Sequence, residues 1–465
     1  MKISLVYPPS QELNLKGYPL GLAYISASLK KNHKVDIYDY NGRAFSKSLH
    51  AFFSCLKATK PDLVGISFNS FNRWGAYKLI EKIKKINRKT LVVLGGVHPS
   101  TMVQQIFQHF YEKIDFVIQS EGDQSFRRLC DALERNEDYR NISGLVYKEG
   151  EKGFKANPVT DVIGDLDTLP LPDYSYASQK IQINEFGYLI TSRGCPVNCS
   201  FCSTSTFWGQ RIRMNSPERV GEEVDYVKSL GARRFFFYDD TFNLGIERTI
   251  KLAEILKQKN IEYAVSCRVR PVNEEMVAKL VESGCRHITW GVESLSDKIL
   301  KTIDKKITKE EVKNAFDICA KYADKLTTGA FFCVGVPGET EETINESIEY
   351  LNKYIKSTHG PGASILYILP GTRVYRDLVK NGKFDERIWL KTDSVYYYTG
   401  EHSMKTLNSW RKRINRSGIR LSTSLRNLLD YALEGEKENL GPVRKRIRRT
   451  RHKISRFINM MRHRY

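Results

Sequence analysis

Cys195, Cys199 and Cys202 stand in the stretch Thr191-Ser-Arg-Gly-Cys-Pro-Val-Asn-Cys-Ser-Phe-Cys202, with the spacing C-x3-C-x2-C. Three thiolates on one short loop can hold three corners of a cubic [4Fe–4S] cluster and leave the fourth iron open to substrate or cofactor. A cluster that only carries electrons is fully ligated, so the missing fourth cysteine points to chemistry at iron. Gly194 and Pro196 suit a loop that folds tightly around an inorganic core. The alternative is a zinc site built on Cys199 and Cys202. It requires further Cys or His at a partner spacing, and none lies nearby. Cys55, Cys130, Cys267, Cys285, Cys319 and Cys333 show no ligand spacing and read as small buried hydrophobes; Cys267 and Cys333 sit on strand patterns that can face a cavity.

Two sets of alternating elements must position these residues. Over residues 1–140, short apolar runs (Ile3–Tyr7, Val35–Tyr38, Leu63–Phe68, Leu91–Leu94, Phe116–Ile118) alternate with helical patterns near Gly21–Lys31, Ser46–Ala58, Trp74–Ile86, Thr101–His109 and Gln124–Leu133. This predicts an α/β unit with a doubly wound, Rossmann-like parallel sheet, whose ligand binds at the carboxyl ends of the strands. Residues 141–180 read as a connector: a hairpin turning at Glu149–Lys152, then the proline-stiffened Leu169-Pro-Leu-Pro. Over residues 181–400, strand patterns at Tyr188–Ser192, Arg234–Tyr238, Tyr263–Arg268, His287–Gly291, Gly329–Val334 and Ser364–Ile368 alternate with helices. Six units predict a partial (β/α)6 barrel with its chemistry at the carboxyl ends of the strands.

At the cysteine loop, with Phe201 in the x-aromatic-Cys position, the chain resembles the radical S-adenosylmethionine (SAM) enzymes. The resemblance implies a [4Fe–4S] cluster whose open iron holds SAM and whose electron cleaves it to a 5′-deoxyadenosyl radical. Phe201, the Asp239-Asp240-Thr-Phe242 stretch, Arg268, Glu293 and the Gly335-Val-Pro337-Gly-Glu-Thr turn fall at successive strand ends. By the same resemblance, Asp239 or Asp240 holds the amino group of SAM, Arg268 faces its carboxylate, Glu293 accepts from the ribose, and Gly335 and Pro337 lie near the adenine. The first 140 residues resemble the cobalamin-binding domain found ahead of many such barrels, through Pro19-Leu20-Gly21, Ser67, Ser70, Gly95-Gly96, His98 and Glu121-Gly122. The Asp-x-His-x-x-Gly motif that supplies a lower axial histidine is absent, so base-off cobalamin is expected. His98 has two readings, a contact to cobalt or loop packing.

The chain of 465 residues carries a net charge of +21, and residues 411–465 hold 17 Lys or Arg against 4 Asp or Glu, a net of +13. Within the basic region 401–465, a helix over 443–461 would place Val443, Ile447, Ile454, Phe457, Ile458 and Met461 on one arc of about 100°. That pattern fits either an interfacial helix on an anionic membrane or a helix docked by its apolar stripe; nucleic acid is disfavoured because no stacking platform accompanies the charge. The first apolar run is too short for a signal peptide, and no window of 18 apolar residues occurs, so a cytoplasmic protein is expected, with peripheral membrane contact through the tail. The family resemblance implies a methyltransferase acting on an unactivated carbon of a small molecule, with an electron donor such as flavodoxin or ferredoxin, and the basic tail tilts the expected substrate toward a lipid or isoprenoid. The alternatives are a cobalamin-dependent cyclase or rearrangement enzyme, a tRNA methylthiotransferase and a non-catalytic cobalamin sensor. Methylthiotransferases need three further cluster cysteines in the N-terminal domain, where only Cys55 and Cys130 occur. A sensor needs no intact cluster motif.

Overall fold

A computed structural model describes residues 1–10, 17–355 and 361–417. The chain forms two α/β units. In the first, β1 (Lys2–Tyr7), β2 (Lys34–Asp39), β3 (Leu63–Ser67), β4 (Leu91–Gly95) and β5 (Phe116–Ile118) pair in parallel in the order β2-β1-β3-β4-β5. The strands are apolar along their length because helices cover both faces: Leu63, Val64 and Ile66 are buried, as are Val92, Val93 and Leu94. Strand order reverses between β1 and β3. The two connections leave on opposite faces there, which opens a crevice at the carboxyl ends.

The hairpin expected at Glu149–Lys152 is present, as β6 (Leu145–Glu149) and β7 (Gly153–Ala156). It does not belong to a connector. Val117 pairs with Val146, so the hairpin extends the first sheet antiparallel to β5, and the N-terminal unit runs past residue 140 to about residue 156. Leu145, Val146 and Tyr147 are buried against that sheet, which is why the segment joins it.

The second unit is a six-stranded parallel sheet in the order β15-β14-β13-β12-β11-β8. Its strands are β8 (Phe186–Leu189), β11 (Arg234–Phe237), β12 (Glu262–Arg268), β13 (Cys285–Glu293), β14 (Thr327–Val334) and β15 (Gly362–Ile365). The first barrel strand breaks after Leu189, and a short ribbon of β9 (Ser192–Arg193) and β10 (Arg213–Met214) follows it. Helix starts are chemically marked. Ser216 caps the helix Pro217–Ser229 with proline first, and Thr308 and Glu311 form a reciprocal capping box on Lys309–Ala320.

Residues after β15 do not all stay with the barrel, as the 181–400 boundary implied. Ile368, Tyr375, Trp389 and Val395 join the core on one face of the first sheet, beside Phe68, Tyr77 and Phe107. Arg73, buried at 0% exposure under the Trp389 ring, fastens this return by donating to the carbonyls of Trp389, Thr392 and Ser394. The helix Met404–Arg416 then packs Leu407, Trp410 and Ile414 into the barrel core. The tail helix expected over 443–461 lies outside the described residues.

Candidate active site

The cysteine loop leaves β8, passes through β9 and ends at the helix Thr204–Trp208. Gly194 has φ +95°, and a Cβ there would come within 2.3 Å of the Arg211 carbonyl oxygen. Only glycine allows the loop to turn this close to the β10 approach. The Ser200 amide donates to the Ile303 carbonyl (3.0 Å), the Ser200 carbonyl accepts from Val374, and Arg373 donates to the Asn198 carbonyl (2.6 Å). Loops after β13 and β15 thus brace the cysteines.

Cys195, Cys199 and Cys202 line one cavity of about 650 Å³ at the carboxyl ends of the barrel strands, together with Phe201, Asp239, Asp240, Arg268 and Glu293. Burial pushes the Cys199 thiol up and the Cys202 thiol up to about 11, so the free thiols rest protonated; positive iron would draw off the protons. Among the described residues no three Cys, His, Asp or Glu converge on one point as around a single metal ion. Three thiols on the wall of one cavity are a donor set able to give one thiolate to each of three irons.

The charged residues divide their work. Asp239 is buried and accepts from the Thr191 amide and hydroxyl and from Ser192 Oγ, so its oxygens brace the loop entry. Asp240 is exposed to the cavity and accepts from Thr204 Oγ1 (2.9 Å). Of the two carboxylates proposed for the SAM amino group, Asp240 is the one placed to reach a ligand. Glu293 sits at φ +68° where β13 shifts register against β14. Its Oε1 accepts from Lys305 Nζ at 2.8 Å, and its Oε2 is buried with no hydrogen-bond partner among the described residues. An orphaned acceptor at a cavity wall fits a ligand hydroxyl. Burial works against the Lys305 ammonium, but Glu293 and Cys199 outweigh it and hold Lys305 above the ordinary lysine value. Arg268 donates to the Lys305 carbonyl (2.7 Å) and also lines the cavity.

Two expected contacts are displaced. Gly335 and Pro337 do not line the cavity. The Gly335 amide donates to the Glu339 carboxylate, and a Cβ at Gly335 would meet Leu407 at 2.7 Å, so the turn is packed under the helix Met404–Arg416. Cys267 and Cys333 both line the cavity.

A second, narrower cavity of about 230 Å³ opens at the strand-order reversal. Gly21, Ser67, Gly95, Gly96, Glu121 and Gly122 line it, whereas Pro19, Leu20 and Gly21 line the larger cavity. Its walls are mostly apolar, from Leu5 and Ile66 to Phe126. A Cβ at Gly21 would meet nothing within 4 Å, and one at Gly95 only the Ile118 carbonyl at 3.9 Å, so both positions leave open space beside bare backbone. Ser70 and His98 do not line either cavity. His98 is buried, and its two ring nitrogens are hydrogen-bonded to Ser70 Oγ (2.9 Å) and Tyr77 OH (3.2 Å) beneath Trp389, which corrects the reading of His98 as a cobalt contact in favour of loop packing.

The barrel closes this slot. Ile190, Arg193, Phe207 and Trp208 complete its lining. Arg193, two residues before Cys195, is buried against Tyr24 and Trp208 and pairs with Asp123 and Glu121. Arg213 also pairs with Glu121. Behind them, burial raises the Glu223 carboxyl to about 7, while Tyr174 and Tyr24 donate to it. The sequence reading missed Lys305, Arg193, Asp123 and Tyr24. Lys305 lies in the run Asp304-Lys-Lys306, which looks like a solvated loop; Arg193 stands inside the cysteine motif and was the one available signal.

Comparison with known proteins places these sites in context. The Radical SAM superfamily family model matches residues 189–351, and the B12 binding domain model matches residues 11–130. A protein of Pyrococcus horikoshii named an uncharacterized methyltransferase is 32% identical over 428 residues, covering 88% of this chain and 91% of that one. The cytidylyl-2-hydroxyethylphosphonate methyltransferase of Streptomyces wedmorensis is 25% identical, with 79% of each chain covered. A radical SAM methyltransferase of Kitasatospora setae, solved with tryptophan and a SAM analogue, superposes with a TM-score of 0.69 at 20% identity over 82% of this chain and 76% of that one, which establishes a shared fold.

Proposed function

Because this chain belongs to the radical SAM superfamily, in the group that carries a B12-binding domain ahead of the barrel, we propose that it is a cobalamin-dependent methyltransferase acting on an unactivated carbon. The observation that carries the reading is the junction of the two cavities: Tyr7, Gly21, Asn69 and Ile190 line both. The slot and the chamber that holds the three cysteines thus share one wall. When bound, the cluster supplies the electron that cleaves SAM, and cobalamin supplies a carrier for the methyl group.

The residues do the rest. Cys195, Cys199 and Cys202 ligate the cluster. Glu293 Oε2 accepts a ribose hydroxyl hydrogen bond, Asp240 takes the amino group, and Arg268 faces the carboxylate. Phe201 packs beside the cluster loop. The glycine-lined slot suits the flat base at the end of the cobalamin tail, and the bare backbone at Gly21 and Gly95 lets it approach. Electron delivery by a small redox protein and peripheral membrane contact through the basic tail belong to the same reading.

The test is a single-turnover incubation of anaerobically reconstituted protein with methyl-labelled SAM, reduced cobalamin and a low-potential reductant for the cluster. Methyl transfer releases one S-adenosylhomocysteine per bound cobalamin, and reductive cleavage releases 5′-deoxyadenosine. Formation of 5′-deoxyadenosine with no S-adenosylhomocysteine would reject methyl transfer in favour of a radical rearrangement or ring closure.

A further inference from the structure

The larger cavity has a charged side and an uncharged side. Among the described residues, five charged side chains line it: Asp239, Asp240, Arg268, Glu293 and Lys305. All five adjoin the cysteine loop. Asp239 accepts from Ser192 and Asp240 from Thr204, which flank the three cysteines. Glu293 and Arg268 are bonded to Lys305, whose loop is pinned to the cysteine loop by the bond from the Ser200 amide to the Ile303 carbonyl. Under the reading above, Asp240, Glu293 and Arg268 meet the polar groups of SAM, while Asp239 braces the loop and Lys305 pairs with Glu293.

The far side is different. The last two barrel strands and the segment after them contribute Phe331, Ser364, Leu366 and Tyr367, and the N-terminal unit contributes Phe71 together with the uncharged amides of Asn41 and Asn69. Phe71 meets Tyr367 edge-on at 5.2 Å, and Tyr367 stacks on Tyr397 at 4.7 Å. This makes an aromatic wall that continues across the boundary between the two units. No Lys, Arg or His of the described residues stands on it. A phosphate or carboxylate brought against such a wall loses its water and gains no cation, which is strongly unfavourable. An apolar ring or branched chain loses nothing and gains contact with aromatic faces.

We propose that the substrate taken into this cavity is uncharged and largely apolar, a terpenoid-like hydrocarbon or ring system whose polar groups are limited to hydroxyl or carbonyl. This rests on the methyltransferase reading for which side of the cavity SAM occupies. The Ser364 hydroxyl offers such a polar group a hydrogen bond.

The test is equilibrium dialysis of the full chain, loaded anaerobically with cluster, cobalamin and SAM, against matched probes: a C20 isoprenoid alcohol, a C30 polycyclic alcohol, and the monophosphate ester of each. At least one alcohol should bind at least tenfold more tightly than its ester, and Ser364→Arg should shrink or reverse that preference while leaving SAM binding unchanged. Esters that bind as tightly as the alcohols, or a panel in which neither alcohol binds, would overturn the proposal. S-adenosylhomocysteine formation requires no substrate, so failure of the methyltransferase reading and failure of this one are separable.

Discussion

Replacing Lys305 with Met removes one member of a pair buried on both sides. Lys305 and Glu293 side chains are each 7% exposed and their charged atoms are 2.8 Å apart. The variant leaves the Glu293 carboxylate buried without its cation, with Oε2 already unpartnered. Breaking a buried pair from one side costs about 3–5 kcal/mol, whereas replacing both charges by neutral groups is often close to neutral. At about 2–4 °C per kcal/mol for a unit the size of the barrel, the expected fall in Tm for Lys305→Met is about 6–20 °C. The double variant Lys305→Met, Glu293→Gln should recover most of that loss. Anaerobic thermal melts of wild type, both single variants and the double variant form a double-mutant cycle that isolates the pair. A Lys305→Met protein that melts with wild type, or a double variant that melts as low as the single, would refute the claim that this buried pair stabilises the barrel.

Changing any of Cys195, Cys199 or Cys202 to Ala should abolish a reconstituted cluster of about four irons, read by iron and sulfide analysis. Gly21→Phe should fill the neck between the cavities and release cobalamin with little loss of Tm, since a Cβ there meets nothing. Gly96→Ala should instead lower Tm, because Gly96 has φ +97° and its Cβ would strike the Phe68 carbonyl at 2.6 Å; retained stability would show that this turn relaxes. Glu223 has a folded value near 7, above the ordinary carboxylate, so the native state binds the extra proton and stability should fall as pH rises from about 4.5 to about 7. The loss is about 3 kcal/mol if that value holds. Glu223→Gln should flatten the decline in a pH series of melts, and an unchanged slope would assign it to another group.

The strands were legible because parallel strands buried on both faces are short, apolar and bounded by turns: Leu63–Ser67 and Leu91–Gly95 each form where their apolar run lies. The cysteine loop was legible because its spacing is local. What stayed hidden is set by contacts distant in sequence. Nothing local distinguishes Lys305, buried beside Glu293, from Lys306, whose side chain is 71% exposed. The hairpin of β6 and β7 reads the same whether it is a linker or an added sheet edge, since only its pairing to β5 decides. Ser70, in the turn after β3, and His98, in the short helix after β4, both follow strand ends, but their side chains turn inward to each other. Gly335 and Pro337 follow a strand end like the others, yet Leu407 of a later helix covers the turn.

The return of residues 368–395 onto the first sheet has a consequence for synthesis. Phe68, Tyr77 and Phe107 emerge from the ribosome early, but the Trp389 that covers them follows the end of β7 by roughly 230 residues, on the order of 10–50 s of elongation. During that interval the nascent first unit presents an uncovered aromatic face and an arginine, Arg73, that does not yet have the carbonyls of Trp389, Thr392 and Ser394. The first part of the chain to be made is thus among the last to be finished. A fragment ending near residue 140 would lack both the hairpin edge and this cover, and the first unit becomes a finished body only when residues 368–395 are threaded back to it.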